Sequence, residues 1–156
     1  MKRRLNIVLI NPEIPQNTGN ISRTCAVTGA ALHIVRPTGF EISDRTLKRA
    51  GLDYWDKLDV TYYDSIEEFM VAHNGAPMYF FSSHAERSFA DVEYPEGVFL
   101  VFGRESVGLP KELISDNLDR ALRIPMLPTL RCLNLSNSVA IAAYEALRRW
   151  GYPDLD

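Results

Sequence analysis

The chain has 156 residues, 46% of them hydrophobic and 24% charged, the size and balance of one globular domain (1–156) whose core needs no disulfide or metal staple. Seventeen Lys and Arg against 20 Asp and Glu leave a net charge of −3, which excludes attraction of nucleic acid by a global positive field. Any such site has to be a local basic patch or one completed by a second subunit. No apolar run approaches the roughly 20 residues of a membrane span. Met1-Lys2-Arg3-Arg4 is basic like the start of a signal peptide, but the run behind it, Leu5 to Ile10, contains Asn6 and ends at Asn11-Pro12, short of a secretory core. Cys25 and Cys132 have no CxxC spacing and are expected to be reduced thiols in a cytoplasmic protein. In that setting Asn20-Ile21-Ser22 and Asn134-Leu135-Ser136 carry no glycosylation meaning.

Leu5 to Ile10 reads as a buried strand, followed by a loop of turn-forming residues from Asn11 to Asn20. Ile21 to Thr28 resumes as a helix with Ile21, Cys25 and Thr28 on one side, closed by Gly29. Ala31 to Val35 is the next strand, and Ser43 to Ala50 a short basic helix stopped by Gly51. An irregular aromatic segment from Gly51 to Asp56 precedes a strand over Val60 to Tyr63. Ser65-Ile66-Glu67-Glu68 is a capping box, which predicts a helix from Ser65 to His73. Met78 to Phe81, Val98 to Phe102 and Ala121 to Ile124 complete six strands. Last comes a helix with apolar residues at Leu135, Val139, Ala142, Ala143, Ala146 and Leu147, Arg148 and Arg149 at its end, then Gly151 and Pro153. Strands alternating with helices imply an α/β fold with a mostly parallel sheet flanked by helices.

In such sheets ligands sit beyond the carboxyl ends of the strands. Three polar loops leave strands at that edge: Asn11 to Asn20, Gly103 to Pro110, and Pro125 to Ser138. The last opens the final helix, whose N-terminal N–H groups beside Asn134, Ser136 and Asn137 suit a carboxylate, a phosphate or a hydroxyl-rich ligand; ordinary capping accounts for the same residues. Gly103 and Gly108 have the spacing of a phosphate-binding loop, but Leu109-Pro110 stands where Lys and Ser or Thr are required, and Glu105 would repel a triphosphate. No GxGxxG follows the first strand and no GxSxG is present. His33, His73 and His84 sit at no ligand spacing with either cysteine, so no metal is expected. Tyr62-Tyr63 and Tyr54-Trp55 could stack on bases, although residues of this kind more often serve a core or an interface.

Three stretches carry a resemblance: Asn11-Pro12-Glu13-Ile14-Pro15-Gln16-Asn17-Thr18-Gly19-Asn20-Ile21-Ser22-Arg23-Thr24, Phe102-Gly103-Arg104-Glu105-Ser106-Val107-Gly108-Leu109-Pro110, and Leu133-Asn134-Leu135-Ser136-Asn137-Ser138. In order and spacing they resemble the three motifs of the SPOUT RNA methyltransferases. Within that superfamily they look most like the single-domain tRNA 2′-O-methyltransferases that act on the wobble nucleotide, cytidine or a modified uridine. Ala50-Gly51-Leu52-Asp53-Tyr54 also fits that smaller group. The resemblance implies a C-terminal trefoil knot (the SPOUT fold), a homodimer, and S-adenosylmethionine bound within the knot. It places cofactor-binding positions at Phe81, Gly103, Ile124, Cys132, Leu133 and Asn134, and an apolar slot for adenine at Ile124, Pro125, Met126 and Leu133 suits that use.

Methyl transfer to a ribose hydroxyl needs the oxygen in line with the sulfonium methyl and its proton removed. Arg23 stands at the family's catalytic arginine, six residues after Asn17, which is also matched. A guanidinium stays protonated in proteins, so Arg23 reads as a clamp on phosphate and developing alkoxide rather than as a base. Glu105 matches the acid of the second motif and orders its loop or meets a positive partner. Asn134 and Ser136 would hold the ribose or the loop in register. Tyr144, two turns past Ser136, reaches the same site or packs in the core. Cys132 departs from the group's usual Ser, which changes nothing if only its backbone is used. Lys2-Arg3-Arg4, Arg45-Lys48-Arg49 and Arg131 are candidate phosphate contacts to a tRNA anticodon stem-loop. Two rivals stand beside this reading: 2′-O-methylation of ribosomal RNA, and a non-catalytic module that binds a cofactor or anion.

Overall fold

The computed structural model describes residues 4–41, 58–130 and 132–156. Six strands, β1 (Leu5–Ile10), β2 (Ala31–Val35), β3 (Val60–Tyr63), β4 (Met78–Phe81), β5 (Val98–Phe102) and β6 (Ala121–Leu122), form one sheet in the order β3-β2-β1-β5-β4-β6. All five pairings are parallel, with Ile7 opposite Leu32 on one side and Leu100 on the other. Parallel strands need crossovers, and the helices α1 (Pro15–Thr28), α2 (Ile66–Ala72), α3 (Lys111–Ser115) and α4 (Leu135–Arg149) supply cover on both faces.

The pleat divides the core in two. Leu5, Ile7 and Leu9 of β1, Leu32 and Ile34 of β2, and Leu100 and Phe102 of β5 share one face with Ile21 and Cys25 of α1 and with Val139, Ala142, Ala143, Ala146 and Leu147 of α4. Val8, Ile10, Val35, Val101 and Phe80 pack on the other face against Phe69 of α2. Ala142, Ala143 and Ala146 of α4 are wholly buried, so their small side chains let that helix lie close against the sheet and α1. Burial also pushes the Cys25 thiol up to about 12, which leaves it inert.

Most sequence boundaries agree with the structure, and the departures have local causes. Helix α1 begins at Pro15 rather than Ile21, so the loop is only Asn11 to Ile14; Asn17, Thr18 and Gly19 are buried inside the helix. Pro15 presets the first turn, which overrides the loop-like composition behind it. Gly29 closes α1 at φ 77°, as expected for a C-terminal glycine. Ser65 caps α2, its Oγ accepting the Glu68 N–H at 3.0 Å. Strand β6 stops at Leu122 rather than Ile124, and Arg123 bridges Ser88 instead. The one-turn helix α3 and the 3-10 turns Phe89–Asp91 and Leu118–Arg120 have no periodic signature, and the sequence alone does not announce them. The expected helix Ser43 to Ala50 and the segment Gly51 to Asp56 lie outside the described residues. No described helix is long and apolar enough to cross a membrane.

At the amino edge of the sheet a polar chain is buried. Asn6 Nδ2 donates to the Gly97 carbonyl, so its Oδ1 accepts from Nε2 of His33 at 3.0 Å; Nδ1 of His33 then accepts from the Tyr63 hydroxyl at 2.8 Å. The Tyr63 oxygen in turn meets Nε2 of His73 at 2.7 Å. Burial first, and the neighbouring His73 second, push His33 down to about 4, against the pull of Asp59. The folded value lies below the ordinary 6.5, so the unfolded chain takes the proton more readily. Stability from this group is therefore full above pH 6.5 and falls as pH drops toward 4, by up to about 3 kcal/mol. Urea unfolding between pH 7 and pH 4.5 should show this slope flattened in His33→Gln; an unchanged slope contradicts the assignment.

Candidate active site

The carboxyl ends of β1, β4, β5 and β6 meet the three loops singled out by sequence. Helix α1 starts there with a deficiency: Ile14 offers no side-chain cap, and the first turn has no acidic residue. The cap comes from the loop after the neighbouring strand β5. Glu105, in the loop after β5, accepts the Glu13 N–H at 2.9 Å on Oε1 and the Ile14 N–H at 2.5 Å on Oε2. A carboxylate at a helix N-terminus meets both the free amides and the helix dipole.

That carboxylate sets the orientation of everything beyond it. It can only accept, so Asn17 presents Nδ2 to Glu105 Oε2 at 3.4 Å, and its Oδ1 faces Asn134. Asn134 must then donate from Nδ2, at 3.0 Å, and its own Oδ1 is turned to the start of α4. There Oδ1 accepts the Ser136 N–H at 2.9 Å, the Ser136 hydroxyl at 2.6 Å and the Asn137 N–H at 3.3 Å. Glu105, Asn17, Asn134 and Ser136, all four expected from sequence, thus form one hydrogen-bonded line tying three loops together. The N-cap role of Asn134 is confirmed, and the same side chain reaches α1 as well.

Sequence reasoning misses the return half of this clamp. Glu13 Oε1 accepts both the N–H and the hydroxyl of Ser106, at 2.9 and 2.7 Å, so each loop holds the other. The Ser106 bonds, with help from Arg104, keep the Glu13 carboxyl below its ordinary range. In sequence Glu13 is one polar residue in a turn-rich stretch, with nothing to point to a partner 93 residues away.

Arg23 is exposed on α1. Six residues of helix carry it about 9 Å along the axis from Asn17 and roughly a third of a turn off its face. Tyr144 is 44% exposed, so the core alternative for it is excluded. Arg4, one of the proposed phosphate contacts, lies at the opposite edge beside Glu96 (3.3 Å) and Asp154 (3.6 Å); Lys2, Arg3, Arg45, Lys48, Arg49 and Arg131 fall outside the described residues.

The positions proposed for a cofactor gather at the same edge. Phe81 ends β4, buried and stacked on Phe102 at a centroid distance of 4.7 Å. Gly103 follows β5, Ile124 is half-buried against the core, and Cys132, Leu133 and Asn134 are exposed on the loop into α4. That loop leaves Leu127 and Leu130 about two-thirds uncovered, at 66% and 68%. Among the described residues its one internal backbone hydrogen bond runs from the Leu130 N–H to the Leu127 carbonyl. Apolar side chains beside uncommitted amides and carbonyls fit an adenine-bearing ligand. No group of three metal-ligating side chains occurs among the described residues.

A parallel α/β sheet with three interlocked loops at its carboxyl edge, one of them opening the last helix, defines the class: the chain belongs to the SpoU rRNA Methylase family, whose model matches residues 4–144. More particularly, the tRNA (cytidine(34)-2'-O)-methyltransferase of Escherichia coli strain K12 is 45% identical over 151 residues, 96% of each chain. A solved structure concerned with the 2-OH methylation of C/U34 on tRNA is 45% identical and superposes with a TM-score of 0.90 over 97% of this chain and 99% of that one. An AdoMet-bound rRNA methyltransferase from Sinorhizobium meliloti shares the fold at 24% identity, with a TM-score of 0.83 over 95% of this chain and 57% of its own.

Proposed function

We propose that this chain transfers a methyl group from S-adenosylmethionine to the ribose 2′-hydroxyl of the wobble nucleotide in tRNA anticodon loops. The observation that carries the reading is the line from Glu105 through Asn17 and Asn134 to Ser136, which fuses the three family motifs into one site. Full-length relatives at 45% identity that are tRNA (cytidine(34)-2'-O)-methyltransferases support the substrate. The fold proposed for the C-terminal part is the trefoil knot, and the assembly a cytoplasmic homodimer. Ile141 and Tyr144, three residues apart and 40% and 44% exposed on α4, give a second copy an apolar strip to cover.

Bound S-adenosylmethionine supplies an electrophilic methyl on a positive sulfonium. Phe81, Gly103, Ile124, Cys132, Leu133 and Asn134 would hold it, mostly through backbone amides and an apolar slot. Cys132 is exposed, and the slot needs nothing from its thiol. Asn134 and Ser136 orient the ribose, the Ser136 oxygen keeping acceptor capacity while its hydroxyl donates a hydrogen bond to Asn134. Asn17 and Glu105 fix Asn134. Arg23, always charged, clamps phosphate and stabilises the negative charge that develops on the 2′-oxygen as its proton passes to water. Labelled methyl transfer to tRNA tests this: Arg23→Ala should lower kcat by about 10²–10³-fold. Arg23→Lys separates a charge-only role, which survives in part, from a bidentate one, which collapses. Wild-type rates in both variants would remove Arg23 from the site.

A further inference from the structure

We infer that the cleft between the end of β1 and the Gly103–Lys111 segment is a second nucleotide subsite, for the phosphodiester and base flanking the methylated nucleotide. This rests on the RNA methyltransferase reading and extends it to a part of the surface outside the hydrogen-bonded line. The cleft, about 380 Å³, is lined by Asn11, Arg104, Val107, Leu109, Pro110 and Lys111. It opens on the same carboxyl edge as Glu105 and Asn17. The larger hollow, about 510 Å³, lies at the opposite edge among His33, His73 and Asp59 and has no lysine or arginine among its lining residues.

The chemistry of the walls is that of a nucleotide. Arg104 offers a planar fork and Lys111 a point charge, both suited to phosphate. Neither enters an ion pair among the described residues, and the nearby Glu13 carboxylate is occupied by Ser106. Leu109 forms a buried floor, while Val107 is left 64% exposed on the rim, an uncovered apolar side chain beside two cations. A base laid on Val107 and Pro110 would cover it. With a net charge of −3, the protein has to take its grip on RNA from local pairs of this kind.

The frame is rigid before any ligand arrives. Arg104 and Gly108 exchange both backbone hydrogen bonds, at 3.2 and 2.8 Å, which fixes the arginine at the rim. Asn11 holds a left-handed φ of 52°, a conformation an asparagine tolerates at a cost. Its N–H donates to the Val35 carbonyl at 2.9 Å, and its Nδ2 donates to the Val35 and Pro37 carbonyls at 3.3 and 3.1 Å. Its Oδ1, which accepts no hydrogen bond from the described residues, remains an acceptor for a ribose hydroxyl or base amine. Binding then costs little further ordering entropy.

The test is binding of a synthetic anticodon stem-loop RNA across a salt series, with methyl transfer measured in parallel. The double variant Arg104→Ala/Lys111→Ala should bind about tenfold or more weaker at low salt. Its slope of log affinity against log salt should fall by about 0.7, the share of the one single-strand phosphate that the variant no longer neutralises. Affinity for S-adenosylmethionine and the melting temperature should not move. An abasic residue on one side of the wobble nucleotide should weaken wild-type binding several-fold; equal affinity for both abasic RNAs overturns the base contact. Wild-type RNA affinity and salt slope in the double variant overturn the subsite while leaving the methyltransferase reading intact. A wild-type protein that shows the steeper salt slope yet transfers no methyl overturns the methyltransferase reading while the subsite stands.

Discussion

Gly103→Ala should lower the melting temperature by roughly 10 °C, the largest effect expected of a single methyl group in this protein. A Cβ at Gly103 would lie 2.1 Å from the Gly108 carbonyl carbon and 2.2 Å from the Leu109 nitrogen. Both are backbone atoms in a loop cross-braced by Arg104 and Gly108, so no side chain can swing aside, and the loop itself has to move. Overpacking of this kind costs about 3 kcal/mol or more, and a chain of this size loses about 2–4 °C per kcal/mol. Gly108→Ala is the control. Its φ is 73° but a Cβ there meets nothing within 4 Å, so only the left-handed backbone is penalised, by about 1 kcal/mol. Calorimetry of the two variants should rank Gly103→Ala well below Gly108→Ala. Equal melting points would mean that the close approach after β5 is not held in solution.

The second large effect belongs to Glu105→Gln, a nearly isosteric change. Both carboxylate oxygens accept from the motif after β1, Oε1 from Glu13 and Oε2 from Ile14 and Asn17. An amide in their place turns an NH₂ group toward an N–H donor whichever way it is flipped. One acceptor disappears and two donors are brought face to face. The cost to folding should be about 2 kcal/mol, since charge-assisted hydrogen bonds are removed at a helix terminus with no other cap. The cost to methyl transfer should be greater, about 10²-fold in kcat, because the orientations of Asn17 and Asn134 are inherited from the carboxylate. Parallel melting curves and initial rates check this. A Gln variant with the wild-type rate would show that the amide line orients itself without the charge.

The strands are legible in the sequence because β1, β2 and β5 are buried on both faces and read as apolar runs, broken only by Asn6 and His33, between Gly, Pro and Asn. Helix α4 is legible for a different reason: its cap, Asn134, lies beside its first turn in sequence. Only the second half of helix α1 is legible, because its cap, Glu105, lies 91 residues from Ile14 and leaves the Asn17-Thr18-Gly19-Asn20 stretch looking like loop. The same distance hides the Glu13–Ser106 exchange. What the motifs convey is which residues belong together; which of them face one another depends on β1 and β5 being neighbours in the sheet. The cleft beside Arg104 and Lys111 is illegible, since it exists only where the ends of those two strands meet.

The most direct measurement is transfer of labelled methyl from S-adenosylmethionine to bulk tRNA lacking the modification, followed by nuclease mapping of the product. The expected result is label on the 2′-oxygen of the wobble nucleotide, incorporated about 10²–10³-fold more slowly by Arg23→Ala. Tight cofactor binding with no transfer to tRNA would contradict the proposed substrate, and failure to bind S-adenosylmethionine at all would contradict the methyltransferase reading itself.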